Sequence, residues 1–173
     1  GRTREGAGVS SIFFASGGFG ALRGIDGQAT TPAPSNMTGT PVEVWENLTG
    51  MFVERKELLP DSGGPGEFRG GLGQKISLIN DSGSPMTVSC LAGRTEFPPA
   101  GVLGGRPGGM RSIAINGRPV HPKGRYVLAP GDRIDTVEAG GGGYGDPHRR
   151  ARTAIDADLR QGFVTPGAAR RDY

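Results

Sequence analysis

The sequence has little of the residue types that build many common functional sites. It contains one cysteine, Cys90, two histidines and few aromatic residues, which account for 6% of its 173 positions. A lone cysteine excludes an internal disulfide and the structural zinc sites that need several cysteines. The histidines, His121 and His148, lack the partner spacing of a metal site, so we expect no metal in this chain.

Long apolar runs are also missing. No run approaches the ~18 residues of a membrane-spanning helix, so we expect no membrane partner. The polar start Gly1-Arg2-Thr3-Arg4-Glu5 has neither an initiator methionine nor an apolar leader behind it. We therefore expect a fragment or a processed chain, and a reducing, cytoplasmic setting agrees best with the single cysteine.

The chain has no strong excess of one charge. Its 20 basic and 17 acidic residues are interspersed and give a net charge of +3. Such a balance argues against a nucleic-acid partner. The one bias is an arginine-rich end, which we interpret as the solvated face of a helix. Its members are Arg149, Arg150, Arg152, Arg160, Arg170 and Arg171.

Glycine and proline, by contrast, are abundant, with 33 and 14 residues. Together they exceed a quarter of the chain, a level often seen in low-complexity sequence. The glycines are clustered and have no three-residue period, which excludes collagen. Apolar runs lie between the clusters and 34% of the residues are hydrophobic, so we predict a folded domain.

Most of the chain is predicted to be β. Residues 52–59 mix apolar with charged side chains, and Gln74–Asn80 alternates between them. A turn cluster follows, so we predict that Met86–Leu91 returns as the second arm of an antiparallel hairpin.

A second hairpin is predicted around Asn116-Gly117, because both residues tolerate the positive φ of a type I′ turn. Its arms are residues 111–115 and 118–120, and Pro119 makes the second arm an edge strand or a short one. Residues 126–128 and 133–137 are two further short strands with a turn at residues 130–132 between them.

Helix is predicted only near the end of the chain. Asp146 and Pro147 provide an N-cap and a first helical residue, and apolar residues then recur at helical spacing until Gly162. This pattern predicts one helix of about three turns between Pro147 and Arg160. A second, shorter helix starts at Thr165 and Pro166.

The predicted fold class is therefore mainly β and α+β overall, glycine-rich and loop-rich, with antiparallel hairpins and a short helical C-terminal tail. We place a glycine-rich β body at residues 1–145 and the helical tail at residues 146–173.

Four glycine clusters lie at residues 17–20, 61–73, 101–109 and 140–145. Glycine permits close backbone approach, and consecutive N–H groups can bind an anion. None of the clusters matches a phosphate loop or a dinucleotide fingerprint. The last cluster precedes the predicted helix, which makes it a candidate anion-binding loop. Its residues are Gly141, Gly142, Gly143 and Tyr144. Tight turns and backbone crossings are the favoured alternative.

The remaining polar candidates indicate no catalytic centre. Glu43 and Glu46 flank Trp45 in a segment that is either extended or the start of a helix, and paired carboxylates can transfer protons. Two exposed glutamates are the favoured interpretation, and Cys90 is interpreted as a buried apolar residue. No nucleophile elbow or comparable signature occurs. The catalytic residues are therefore unknown from the sequence.

Several motifs follow one another along nearly the whole chain. They are GGFGA at 17–21 with Asp26-Gly27, NMTGTPVEVWE at 36–46, ELLPDSGGPGEFRGGLG at 57–73, PPAGVLGGRPG at 98–108, LAPGD at 128–132, GGGGYGDP at 140–147 and GFVTPGAARRDY at 162–173. In these motifs and their order the chain resembles the hydantoinase B/5-oxoprolinase family. It departs from the family at Glu138-Ala139, where proline and glycine are usual. Family members are much longer, so the resemblance implies the C-terminal part of a B-type subunit.

The resemblance implies an enzyme that opens a lactam or cyclic imide ring, such as 5-oxoproline or N-methylhydantoin, at the expense of ATP. Phosphorylation of the amide oxygen would turn a poor electrophile into one with a leaving group. The implied partners are a hydantoinase A-type ATPase subunit or domain, the N-terminal part of the B-type subunit and a small-molecule substrate. ATP and a divalent metal are expected in the assembled enzyme. We expect no cofactor bound by this chain and no ATP hydrolysis by it alone.

Two alternatives stay open. A subunit of an acetone-carboxylase-type ketone carboxylase differs in the class of reaction. A noncatalytic assembly domain would use its glycine loops only for packing between subunits.

We further predict that residues 61–73 face the substrate or the partner subunit. Six of these thirteen residues are glycine, and each glycine loses more chain entropy on ordering than alanine. An arginine there could hold a carboxylate with both arms of its guanidinium. The residues assigned to this role are Asp61, Ser62, Gly63, Gly64, Arg69, Gly70 and Gly71. The alternative is that Asp61 only caps a turn and Arg69 only pairs with a nearby acid.

Overall fold

A computed structural model describes residues 1–33, 35, 37 and 39–173 of the chain. Pro34, Asn36 and Thr38 lie outside the described residues, and with them the first and third residues of the motif at 36–46. The described part contains these helices and strands: α1 Val42–Thr49, β1 Met51–Leu58, β2 Gln74–Asn80, β3 Met86–Leu91, β4 Ser112–Ile115, β5 Arg118–Pro119, β6 Lys123–Leu128, β7 Arg133–Val137, α2 Arg152–Gln161 and α3 Pro166–Asp172. The predicted class, mainly β with a helical C-terminal tail, is confirmed.

The strands form two antiparallel sheets. The larger one has the order β1-β2-β7-β4-β5, and the smaller one pairs β3 with β6. Between them lies the main apolar core, to which both sheets and α1 contribute. Its fully buried members include Ile76 of β2 and Leu128 of β6. No helix of the described residues has the length and hydropathy needed to cross a bilayer.

The predicted hairpin of β2 with β3 is wrong, although both strands have the predicted bounds. Both edges of β2 are occupied, by β1 and by β7, whereas β3 pairs with β6. The turn after β2 is held by Asn80, whose side-chain amide donates to the carbonyls of Ser84 (2.9 Å) and Leu128 (3.0 Å). This tie to β6 directs the chain out of the first sheet and into the second.

The second predicted hairpin is confirmed. β4 and β5 are antiparallel and joined by Asn116 and Gly117, with φ values of 49° and 75°. Both values are positive, as the predicted type I′ turn requires. The turn before β7 is confirmed too, with Gly131 at a φ of 85°.

The prediction that helix occurs only near the end of the chain is wrong, because α1 lies in its first third. No side chain caps the start of α1, so its local signal is weak. Tertiary contacts of Trp45 stabilise it instead. The indole ring packs edge-on against Phe13 at 4.7 Å between ring centroids, and its N–H donates to the Ser11 hydroxyl at 3.2 Å.

The tail is helical, but its first helix is interrupted. The carboxylate of Asp146 caps a short 3₁₀ turn, Pro147–Arg149, and α2 begins three residues later. Gly162 ends α2 in the left-handed conformation, and the Thr165 hydroxyl caps α3 through the amide of Ala168. The single helix predicted between Pro147 and Arg160 is therefore divided in two. The division of the chain after residue 145 stays a prediction.

The four glycine clusters meet in one place, where extended segments without ladder pairing lie side by side. We call segments 17–21, 62–73, 99–109 and 139–145 the glycine bundle. From residue 139 to residue 144 the last segment bonds to a different neighbour at each successive residue, and the neighbour repeats every third residue. Gly145 ends the repeat with bonds to Val102 and Glu67. Gly140 and Gly143 bond to segment 99–109, Gly141 and Tyr144 bond to segment 62–73, and Gly142 bonds to segment 17–21. A strand would repeat every second residue, so this is the three-residue period of polyproline II packing.

Glycine is required in the bundle because the backbones touch. A Cβ on Gly140 would overlap the carbonyl of Ser62, and one on Gly141 would overlap the carbonyl of Phe19. Backbone atoms cannot move aside as a flexible side chain can. The clusters are therefore the backbone crossings that the favoured alternative described.

Candidate functional site

A chain of four charges, the buried Arg69, Arg150 and Asp158 and the partly exposed Asp26, joins the helical tail to the glycine bundle. Arg150 donates from both terminal nitrogens to the two carboxylate oxygens of Asp26, each at 2.7 Å. It also donates to Asp158 at 2.7 Å. Arg69 binds the same Asp158 carboxylate with two nitrogens at 3.1 Å each. Two cations and two anions thus compensate one another, as buried charges must.

Burial and neighbouring charge shift the pKa values within this network in opposite directions. Burial by itself would raise the pKa of Asp26, but the hydrogen bonds and charge of Arg150, with the amide and charge of Arg69, outweigh it and leave the pKa lowered. Burial would lower the pKa of Arg150, and its bonds to Asp26 raise it overall. Burial raises the pKa of Tyr173 to about 12, against the opposing charges of Arg150 and Arg69. All of these groups keep fixed protonation states near neutral pH.

Aromatic rings from the tail cover both arginines. The Arg69 guanidinium lies 5.4 Å from the ring centroid of Phe163, and that of Arg150 lies 5.8 Å from the ring of Tyr173. Both distances are within the range of cation–π attraction. The interpretation of all tail arginines as solvated is wrong for Arg150, because its side chain is 2% exposed. Arg150 has an extended backbone between the 3₁₀ turn and α2, so the predicted helix is interrupted at this buried side chain.

Asp61 and Ser62 make hydrogen bonds that hold the loop around them in place. The Asp61 carboxylate accepts from the amide and hydroxyl of Thr165, at 2.7 and 2.8 Å, and so fixes the start of α3. The Ser62 hydroxyl donates to the carbonyl of Leu59 and accepts from the amide of Gly73. Within the described residues, both side chains therefore have partners from this chain.

The other predicted residues of segment 61–73 lie inside the bundle. Gly63, Gly64, Gly70 and Gly71 are buried against backbone, and Arg69 reaches Asp158 rather than the surface. The contacts of Asp61 and Arg69 are those of the alternative interpretation, a cap and a partner for a nearby acid. The prediction that this segment faces substrate or partner stays a prediction.

The candidate anion-binding loop, Gly141–Tyr144, packs against segment 61–73. The amides of Gly141, Gly143 and Tyr144 already donate to carbonyls of Gly71, Arg106 and Phe68. An anion could use these amides only by replacing a backbone hydrogen bond. Anion binding at this loop also stays a prediction.

A cleft of about 340 Å³ opens beside the ion network, at the junction of bundle and tail. We call it the tail cleft. Its wall includes Asp26 and Arg150 of the network together with Glu67, Phe68 and Arg149. The Glu67 and Arg149 side chains are accessible, with exposed fractions of 31% and 72%, and lie 3.9 Å apart. The cleft therefore offers an ion pair of both signs and an aromatic ring, a set that can orient a small polar ligand.

A second buried acid lies at the start of the last glycine cluster. Glu138 is 2% exposed, and its only close charge among the described residues is Arg111, at 3.0 Å. The contact lacks hydrogen-bond geometry, so Oε1 of Glu138 and Nε of Arg111 have no partner within the described chain. Burial raises the pKa of Glu138 to about 7, and the charge of Arg111 opposes the rise. This is the position where the chain departs from the family motif.

The other candidates do not converge on a centre. Glu46 accepts from the amide of Val53 at 2.7 Å, Glu43 is exposed, and Cys90 packs partly buried against the core. Across residues 1–33, 35, 37 and 39–173, no three His, Cys, Asp or Glu side chains lie close enough together to hold a metal ion.

Of the four network residues, sequence reasoning assigned only Arg69 to a site, and it missed Asp26, Asp158 and Arg150 together with the tail cleft. Asp26 occurs in a motif but carries no sign of its partner, which is 124 positions away. Asp158 is one polar residue on a polar helix. A usable signal was its place on the same helix face as the apolar Ile155, three residues earlier, since both are buried.

A family model described as hydantoinase B/oxoprolinase matches residues 1–147. The caprolactamase subunit beta of Pseudomonas jessenii is 35% identical over 141 residues, which cover 76% of this chain and 24% of that protein. A 5-oxoprolinase of Pestalotiopsis fici is 31% identical over 147 residues, or 76% of this chain and 11% of that protein. The chain thus spans about a quarter of the first relative and about a tenth of the second.

Two solved structures have the same fold over 92% of this chain. The crystal structure of the ATP-dependent caprolactamase from Pseudomonas jessenii gives a TM-score of 0.76 at 28% identity and is covered to 29%. A nucleotide-free acetone carboxylase gives a TM-score of 0.75 at 20% identity and is covered to 26%. At that lower identity, the second likeness shows the fold alone.

Proposed function

Because the chain belongs to the hydantoinase B/oxoprolinase family, we propose that it is the C-terminal part of a B-type subunit in an ATP-dependent cyclic amide hydrolase. The observation that carries this proposal is the likeness in sequence and fold, over most of the chain, to an ATP-dependent caprolactamase. The substrate class is a lactam or cyclic imide of the 5-oxoproline or N-methylhydantoin type. The subunit works in the cytoplasm.

The geometry favours a role in which this chain positions other groups, and it does not indicate a complete active site within the described residues. Arg69, Arg150 and Asp158 compensate one another within the ion network, and the amides of Gly141, Gly143 and Tyr144 bond to bundle carbonyls. Such an arrangement positions other groups rigidly. ATP and its divalent metal are therefore assigned to a hydantoinase A-type ATPase partner, and the isolated chain does not turn over ATP.

The exposed apolar side chains support a further partner, the N-terminal part of the B-type subunit. Phe13 and Ala15 pack on the core, while Ile12 and Phe14 between them are 71% and 59% exposed. A continuous apolar run is typical of a strand that is buried on both faces. The caprolactamase relatives are about four times longer than this chain. A corresponding N-terminal part of the B-type subunit would cover the exposed apolar run.

Within this assembly, segment 61–73 contributes to the wall of the tail cleft, and the loop at Gly141–Tyr144 supports that segment through the backbone pairing of Tyr144 with Phe68. Glu67 and Phe68 are the residues of that segment which reach the cleft. Substrate or partner contacts the wall there, through Glu67 and Arg149, while Asp61, Arg69 and the glycines fix its shape.

The test uses the complete subunit expressed with its ATPase partner. We expect ADP to form in step with a ring-opened amino acid when 5-oxoproline, ε-caprolactam or a hydantoin is supplied. ATP turnover that requires a ketone and bicarbonate instead would favour the carboxylase, which the shared fold keeps as the second candidate. If deletion of this chain impairs assembly but leaves the rate of each assembled complex unchanged, the chain is a noncatalytic assembly domain.

The cleft is tested in the same assembly with Glu67→Gln and Arg149→Gln. The matched control is Arg152→Gln, an exposed tail arginine outside the cleft wall. We expect the cleft variants to lower kcat/KM about tenfold with normal assembly, the loss of roughly one charge-assisted hydrogen bond. If they turn over substrate like the control, the cleft has no part in the reaction.

A further inference from the structure

A separate cleft of about 420 Å³ lies where the two strands of the smaller sheet end. Leu91, the last residue of β3, pairs with Lys123, the first residue of β6, so the loops beyond them leave the sheet together. The amide of Ala92 donates to Pro122 at 3.0 Å and continues this pairing. The amide of Arg111 donates to the carbonyl of Arg94 at 2.9 Å and fixes the outer loop. The cleft therefore has a wall of anchored backbone.

Its charged lining is unbalanced toward the positive. Arg94 and Lys123 are joined there by His121 and the hydroxyl of Thr95, and Glu96 is the single acid. Neither cation makes an ion pair or a side-chain hydrogen bond with any described residue. The buried arginines of the ion network, by contrast, both pair with carboxylates.

The backbone of Arg94 also occupies an unfavourable conformation. Its φ of 59° lies in the left-handed region, which costs a residue with a Cβ roughly 1 kcal/mol. The hydrogen bond to Arg111 holds this conformation in place. Arg94 in this conformation is one of the residues that line the cleft.

We propose that this cleft binds a phosphate group. A phosphate monoester carries nearly two negative charges at neutral pH and three acceptor oxygens, which match two cations and a hydroxyl. The planar fork of an arginine is suited to such an anion, and a lysine adds a point charge. Glu96 offsets one of the two positive charges, so the preference over a carboxylate rests on the third acceptor oxygen of the phosphate, which leaves one oxygen each for the guanidinium, the ammonium and the hydroxyl. The Phe97 ring, 75% exposed at the rim, is a flat apolar surface for the organic part of an ester.

The test is a titration of the 173-residue chain with inorganic phosphate, phenyl phosphate and benzoate at constant ionic strength. Calorimetry should detect binding of both phosphates, with benzoate at least tenfold weaker. Phenyl phosphate has the ring of benzoate, so the comparison isolates the anionic group. Tighter binding of phenyl phosphate than of inorganic phosphate assigns the site to a phosphate ester, and equal binding assigns it to the free ion.

Two variants and a matched control decide whether the binding occurs in this cleft. Arg94→Gln and Lys123→Gln should each weaken phosphate binding about tenfold. Arg125→Gln removes an equally exposed charge two residues further along β6, outside the lining, and should change it less than twofold. All three side chains are exposed, so the fold persists, as circular dichroism would verify. Absent binding, equal binding of benzoate, or an equal loss in Arg125→Gln would overturn the proposal.

Discussion

The sheets and the glycine bundle are stabilised by different kinds of contact, between side chains in the sheets and between backbones in the bundle. In the sheets, side chains such as Ile76 and Leu128 fill a conventional core between β-strands. In the glycine bundle the backbones themselves touch, and side chains are excluded from the contact. The bundle is linked to the tail by a network of four charges, three of them buried.

The difference predicts opposite responses to small changes in volume. A side-chain core can lose a methyl group and relax, because its neighbours change rotamer. A core of touching backbones has no such freedom, since any shift breaks hydrogen bonds as well as contacts. A substitution that adds a methyl group should therefore distinguish the bundle from the side-chain core most clearly.

Gly140→Ala should have the largest effect. Its new methyl group would overlap the carbonyl of Ser62, whose backbone is fixed in the bundle. We expect a loss of about 5 kcal/mol or more in the free energy of unfolding, enough to abolish a cooperative transition in urea.

Two control variants accompany this one. Ile76→Val removes one methylene from the sheet core and should cost about 1 kcal/mol. Gly39→Ala meets no atom within 4 Å and should change stability by less than about 0.5 kcal/mol. If Gly140→Ala unfolds like Gly39→Ala, the bundle is loosely packed and the distinction between the regions fails.

Asp158→Ala tests the charged link between bundle and tail. It leaves Arg69 without its carboxylate and Arg150 with only Asp26, both in a buried setting. We expect a loss of about 3–5 kcal/mol in unfolding free energy, and hydrogen exchange in α2 and α3 should rise before exchange in the sheets. Asp156→Ala, an exposed acid on the same helix, is the control. Similar stability of the two variants would mean that the ion network contributes little.

Glu138, where β7 passes into the bundle, should make stability depend on pH. Its pKa is raised in the folded state, from an ordinary 4.5 to about 7. The protonated acid therefore favours folding, and stability present below about pH 4.5 is lost as the pH rises through 7. The loss is at most about 3 kcal/mol, at ~1.36 kcal/mol per pKa unit.

Glu138→Gln should remove this dependence and be more stable than the parent chain at pH 8. Denaturant titrations of both chains at pH 5 and pH 8 measure the difference. Glu57→Gln, an exposed glutamate on β1, should track the parent at both values. A gap between Glu138→Gln and parent that stays constant from pH 5 to pH 8 would show that this carboxyl keeps an ordinary pKa.

The sequence predicted the strands with an internal signal and missed what depends on distant partners. Asn116-Gly117 set a hairpin because both residues act on the turn itself. The partner of β3, in contrast, was chosen by the core and by Asn80, and the alternation within β3 contains no information about it. Helix α1 was not predicted for the same reason, because Trp45 stabilises it through contacts with residues more than thirty positions earlier.

The candidate site divides in the same manner. The motif at 61–73 was found from its glycines, but their role as touching backbones, and the pairing of Arg69 with Asp158, appear only when residues 89 positions apart meet. Arg150 looked like its exposed neighbours because an arginine carries no mark of its burial.

By itself the sequence determined that this is a glycine-rich, mainly β domain of a recognisable family, since turn residues, alternation and motif order act locally. Only the tertiary structure decided that the glycines form a bundle with a three-residue period. The sequence has no such period, because three separate segments, and not one repeat, surround Gly140–Gly143. Each segment supplies glycine only where another backbone crosses it, and the crossing points depend on how the whole chain is folded.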